Sequence, residues 1–188
     1  MNSIIENIPK LLKASILTIE LTLISLIIGI FIGLFFAILR LSKHKLLFSI
    51  SYYYSFVFRG TPLLVQIFII YFGLAQLEFI RESFLWFFLK KPFACAILAF
   101  SLNTGAYTSE IFRSGFEKVD KSIIEAANAL GIPNFWIFIK IKLPIAIKQS
   151  LPAYGNEMIL MLKGTSLAST ITLIDLTGAA KHIISTNF

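Results

Sequence analysis

LTLISLIIGIFIGLFFAIL, residues 21–39, carries no charge anywhere along its length. A run of this kind exceeds the roughly 18 apolar residues at which a segment reads as a membrane-spanning helix. Extending it back to Ala14 adds a single charge, Glu20, close to one interface. The whole chain has the same character. Its 188 residues are 57% hydrophobic and only 14% charged, whereas charged residues make up about 25% of an ordinary soluble domain. In lipid, backbone polar groups must be satisfied within the segment itself, so the expected fold is all-α, a polytopic membrane helix bundle in a single domain, residues 1–188. A cleaved signal peptide does not fit the first segment. Its apolar stretch is too long, Glu6 precedes Lys10 and Lys13, and no small-residue cleavage pattern follows.

About four spanning helices are expected, at about 14–39, 61–77, 92–109 and 151–174. The aromatic stretch Tyr52 to Phe58 either lies at the interface or begins the second helix, and Pro62 is tolerated as an early-turn residue. The fourth segment contains Glu157, Lys163 and Gly164. Positively charged loops are retained on the cytoplasmic side. Arg40, Lys43, Lys45 and Arg59 in the first loop, and Arg113, Lys118, Lys121, Lys140, Lys142 and Lys148 in the third, therefore predict an N-terminus outside and a cytoplasmic loop at about 110–148. Gly29 and Gly33 form a GxxxG pattern that lets another helix approach closely. Trp86 and Trp136 fall near expected interfaces, where amphipathic rings are favoured.

Several functions are excluded by what the spans hold. Cys95 is the single cysteine and sits in an apolar segment, which leaves neither a disulfide framework nor a cysteine metal site. His44 and His182 lie in different segments, so no histidine metal pair is expected. An intramembrane enzyme would need a nucleophile–base or metal set, and no catalytic residue is assigned. The net charge of +7 is dispersed between apolar segments without a nucleic-acid module. No GxxxxGK[ST] phosphate loop occurs among the ten glycines, so this chain should bind no nucleotide of its own.

The third loop predicts a short alanine-rich helix at about Lys121 to Leu130, stopped by Gly131 as a left-handed cap. Pro133 then suits the first turn of a second helix whose apolar face is Phe135, Trp136, Phe138 and Ile139. Two such helices either fit a groove in a partner or lie on the membrane surface.

Glu125-Ala126-Ala127, Gly131, Ile141 and Leu143-Pro144 complete a signature of seven fixed positions over twenty residues. It resembles the coupling loop of binding-protein-dependent ABC importer permeases of the type I kind. The resemblance to the polar amino-acid branch extends over Arg59-Gly60-Thr61-Pro62-Leu63-Leu64-Val65-Gln66, over Gly105-Ala106-Tyr107 with Glu110 and Arg113, and over Gly155-Asn156-Glu157 with Lys163, Thr165, Ser166 and Leu167. It implies a transport subunit, not an enzyme, in a bacterial cytoplasmic (inner) membrane. It also implies a second permease, identical or homologous, a cytoplasmic ATPase dimer holding ATP and Mg, and an external solute-binding protein. The coupling loop would dock the ATPase, and the cargo would be polar amino acids. Another small organic solute is the alternative cargo. A passive channel, which would conduct without ATP, is disfavoured by the coupling loop.

Two departures stand out. The branch usually carries an acid between the Lys and Thr-Ser of the fourth segment, where this chain has Gly164, which puts a cationic-substrate role for that position in doubt. The family's fifth spanning helix is also expected to be missing after the region 171–184, which resembles its approach. This implies a truncated or decayed permease, unstable or partly competent alone. Charges at membrane depth cost about 2.5–3.5 kcal/mol and usually face a bundle interior or aqueous path. Asn156 and Lys163 share a helix face, with Glu157 about 120° from Lys163. The substrate-path expectation is that Asn156 and Glu157 contact an amino acid, with Lys163 nearby and hydroxyls from Thr165 and Ser166 at a gate; the alternative is that Glu157 and Lys163 snorkel or bind neighbouring helices. Arg59, Gly60, Thr61 and Pro62 read as a helix-start turn, with a gating role implied by the resemblance.

Overall fold

A computed structural model describes residues 2–42 and 44–187, and the side chains of 7–42 and 44–186. Lys43, counted above among the loop charges, lies outside the described residues. The first helix, α1 (Asn2–Arg40), contains the charge-free run 21–39, and its residues 7–40, whose most apolar 18-residue stretch has a mean hydropathy of 2.8, are long and apolar enough to cross a membrane. It is the one described helix that meets both criteria alone; two bent helix pairs meet them jointly, giving up to three such spans.

The segment expected at 61–77 joins the aromatic stretch before it through a break. Helix α2 (Lys45–Gly60) already includes the aromatic stretch, the chain breaks at Thr61 and Pro62, and α3 (Leu63–Phe68) continues through a π turn and a 3-10 turn to Gln76. The arms 45–60 and 63–76 meet at 104°. Pro62 causes the break. It has no N–H to donate to the carbonyl four residues back, that of Phe58, and its ring crowds that carbonyl. Two short helices, α4 (Glu78–Arg81) and α5 (Trp86–Leu89), then lead into α6 (Pro92–Glu117).

Helix α6 is the centre of the bundle. Cys95, Ala96, Ala99 and Phe100 join Leu21, Leu26, Ile67, Ile70, Met161, Ala168 and Ile171 in the main core. Farther along, Ser101, Asn103, Thr104, Thr108 and Ser109 are buried too, so this helix is less apolar than one facing lipid. Small residues decide its packing on α1. A Cβ at Gly29 would collide with Thr104 Cγ2, and one at Gly33 would come within 2.5 Å of Thr108 Cγ2. The GxxxG pattern thus serves a close contact inside this chain. Helix α6 also runs past the expected end at 109 to Glu117, because its late charges neutralise one another: Arg113 pairs with Glu110 three residues back and Glu117 four residues on.

The chain continues as α7 (Lys121–Ala129), α8 (Asn134–Ile137), a π turn, and α9 (Leu143–Gly164), which extends as a 3-10 helix over Thr165–Ile171. After Thr172, at φ +72°, α10 (Leu176–Asn187) sets off at 54° to the preceding helical run. Buried Asp175 caps it by accepting from Thr177 N at 3.2 Å and Gly178 N at 2.9 Å. Thr18 Oγ1 accepts from Leu176 N at 3.1 Å, which ties α10 to α1.

Candidate functional site

The loop between α6 and α9 is rigidly built. Asp120 accepts a hydrogen bond from Ser122 N at 2.9 Å, and this backbone donor holds its carboxyl below the usual aspartate range. At the other end of α7, Gly131 adopts φ +72°; its N–H reaches Asn128 O at 2.9 Å and Ile132 N reaches Ala127 O at 3.1 Å. This pair of bonds is the Schellman stop, in which a left-handed residue satisfies the last carbonyls of a helix. The expected Gly131 cap is therefore present, while Pro133 sits one position before the first turn of α8, as its N-cap.

The signature residues divide by burial. Glu125, Ala126, Gly131 and Pro144 are exposed, Ala127 is buried, and Ile141 and Leu143 are half-buried. Leu143 packs on a small core of Phe116, Val119 and Ala146, where Phe138 stacks on Phe116 at 5.7 Å. The loop is braced from below at Gly115, where a Cβ would lie 2.6 Å from Ala146 O, and by Ser150 Oγ donating to Ile111 O at 3.3 Å. Its outer surface leaves Leu130 80% and Phe135 64% exposed, with Trp136 beside them under Lys140 Nζ at 4.7 Å. Exposed apolar side chains of this size mark a contact surface, for a partner or for lipid.

The bend at Arg59-Gly60-Thr61-Pro62 is stapled from inside the bundle. Gln66 Nε2 donates to Phe58 O at 2.8 Å, Thr61 O at 3.1 Å and Thr61 Oγ1 at 2.8 Å. Asn103 Nδ2 on α6 donates to Phe58 O at 3.1 Å and to Gln66 Oε1 at 3.0 Å. The carbonyl orphaned by Pro62 thus receives two side-chain amides. Arg59 leans towards Glu110 Oε2 at 3.9 Å and over the Tyr107 ring at 5.4 Å. Asn103 was missed from the sequence. Its only signal is an amide within an apolar helix, and its partners lie 45 and 37 residues away.

The expected path residues separate. Asn156 and Lys163 are exposed on α9, as their shared face requires, whereas Glu157 turns inward and accepts from Thr104 Oγ1 at 2.9 Å. Thr165 is buried and donates to Leu162 O at 2.7 Å, and Ser166 is half-buried. Thr104 is a second residue that sequence reasoning missed. It touches both the Gly29 contact and the only acid buried in α9 among the described residues.

A helical bundle with one helix long and apolar enough to cross a membrane, an exposed apolar loop surface and polar groups between its helices has the make-up of a membrane transport subunit. The chain belongs to the family described as binding-protein-dependent transport system inner membrane component, whose model matches residues 29–187. It is 51% identical to the nopaline transport system permease protein NocM of Agrobacterium fabrum over 98% of this chain and 77% of that one. With the arginine ABC transporter permease protein ArtM of Haemophilus influenzae it shares 39% identity over 97% of this chain and 80% of the other. A solved amino acid ABC transporter matches at a TM-score of 0.86 and 37% identity, covering 97% of this chain and 81% of that one. The MetNI methionine ABC transporter, at a TM-score of 0.68 and 15% identity over 95% and 80% of the two chains, shares the fold. The chain is thus a permease subunit of an ABC importer, not itself an enzyme, and its family works with an ATPase, a solute-binding protein and a second permease.

Proposed function

We propose that this permease imports polar amino acids, forming the path with a second permease, identical or homologous, and docking one subunit of a cytoplasmic ATPase dimer through α7 and α8. The observation that carries this reading is the rigid loop that presents Glu125, Ala126 and Gly131 outward between two fixed ends. ATP and Mg are held by the ATPase, whose closure moves α7 and, through the braces at Gly115 and Ser150, the ends of α6 and α9. The N-terminus lies outside the inner membrane and the docking loop in the cytoplasm, with spans formed by α1, the bent pair, α6 and α9. The names of the relatives, which include nopaline, arginine and histidine/lysine/arginine/ornithine permeases, support a polar amino acid or derivative as cargo.

Within that path, Asn156 and Lys163 face the second permease, Glu157 is held ready by Thr104, and Thr165 and Ser166 stand at the end of α9. Arg59 to Pro62 form the hinge that the ATPase stroke works against. The test is ATPase activity of the reconstituted complex with a panel of binding proteins and amino acids. Stimulation by polar amino acids that shifts between substrates in Glu157→Gln, with assembly intact, is the expected result. Stimulation only by another class of small solute, or equal loss of assembly and uptake in Glu157→Gln, would overturn the cargo and path assignments respectively.

A further inference from the structure

The link between the bent pair and α6 is unlike a solvated loop. Helices α4 and α5 have four residues each, yet Phe79, Phe84, Phe87 and Phe88 are all exposed, Phe84 by 79%. Exposed apolar surface of that extent marks an interaction site. The polar groups are sorted away from it: Glu78, Arg81 and Glu82 gather with Trp86 around a small hollow. Lys90 and Lys91 stand over the Phe87 ring with their Nζ atoms 5.4 and 5.2 Å from its centre. Exposed aromatic rings with two lysine ammonium groups gathered at one of them is the composition of a segment lying in a lipid headgroup layer.

Depth points the same way. The segment enters α6 at Pro92 and the docking loop leaves it after Glu117. The intervening 26 residues make a helix of about 39 Å, close to the ~40–45 Å between the two aqueous faces of a bilayer. A docking loop at one membrane surface therefore puts residues 78–91 level with the opposite headgroups. Phe68, Ile69 and Phe72 on the adjoining arm, and Leu77 after it, are exposed apolar residues as well.

We propose that residues 78–91 form a phospholipid-binding platform seated in the headgroup layer of the membrane face opposite the docking loop. Phe79, Phe84, Phe87 and Phe88 insert among acyl chains, and Lys90 and Lys91 meet lipid phosphates. The polar hollow then faces water, and the platform fixes the height of the hinge arm and of the start of α6. This placement requires the docking loop to lie at a membrane surface and is independent of the cargo.

The test places a reporter at the most exposed ring, Phe84→Trp, in a chain that also carries Trp86→Phe and Trp136→Phe, reconstituted in phosphatidylcholine–phosphatidylglycerol vesicles. Emission should be lost to phospholipid brominated near the head of its acyl chains and be largely protected from iodide present on both sides of the vesicle. Full iodide quenching with none from bromolipid overturns the proposal. So does iodide protection that appears only when solute-binding protein is added, because the aromatic face is then a protein-docking surface. In the same reporter chain, Phe79→Ser, Phe87→Ser and Phe88→Ser together should abolish bromolipid quenching at unchanged helix content by circular dichroism. Retained quenching would show that these rings do not hold the segment.

Discussion

Replacing Gln66 by leucine removes the amide that closes the 104° bend, and the cost can be worked from its partners. Gln66 and Asn103 are each 6% exposed. The substitution deletes three donated bonds, at 2.8, 3.1 and 2.8 Å, and one accepted from Asn103 at 3.0 Å. Phe58 O keeps its bond from Asn103, but Thr61 O and one Asn103 N–H lose their partner. A typical net hydrogen bond contributes about 0.5–1.5 kcal/mol and an orphaned buried group costs about 1–3 kcal/mol, so Gln66→Leu should destabilise the subunit by roughly 2–4 kcal/mol. Asn103→Leu should cost a similar amount. Since the two share Phe58 O and bond each other, the double variant should cost less than the sum by about 0.5–3 kcal/mol. The assay is reversible unfolding of the purified subunit in mixed micelles, followed by circular dichroism. Additive costs would refute this account of the bend.

Two further outcomes follow from packing and capping. Gly29→Ala pushes a Cβ into Thr104 Cγ2, whereas the next atom, Gly105 N, lies at 3.3 Å; it should cost about 1–3 kcal/mol, and Thr104→Ser, which removes that methyl but keeps the hydroxyl for Glu157, should restore most of it in the same unfolding assay. Asp120, held below its usual pKa by Ser122 N, contributes its cap fully above the unfolded aspartate value, about 3.9, and loses it as pH falls through the lower folded value. Protection of the Ser122 amide, taken as its exchange relative to the intrinsic rate at each pH, should therefore fall on acidification in the wild type and stay flatter in Asp120→Asn, which caps without titrating.

What could be read from the sequence was local. The charge-free run at 21–39 makes a helix whatever surrounds it, and Gly131 stops α7 because a left-handed cap needs only its own turn. The bend escaped notice because Pro62 suits an early helical turn as well as a break; the outcome depends on where Phe58 O finds donors, and one is on α6. That α6 continues past the charge-free stretch is not legible for a similar reason, since Glu110 closes the apolar run while its pairing with Arg113 one turn on lets the helix go on. On α9, periodicity separated Asn156 and Lys163 from Glu157 correctly, but only packing against Thr104 shows which face turns inward.

Whether the loop around Gly131 docks an ATPase is read out by Gly131→Trp set beside Gly131→Ala. A Cβ at this residue meets no atom of the chain within 4 Å, and φ is +72°. Both variants thus carry the same left-handed strain, about 1–2 kcal/mol, and only tryptophan adds bulk to the docking surface. The measurement is recovery of the ATPase subunit with each tagged chain after affinity purification from native membrane in mild detergent. The account predicts recovery with wild type and Gly131→Ala and loss with Gly131→Trp at equal amounts of tagged chain. Equal recovery with all three would contradict it.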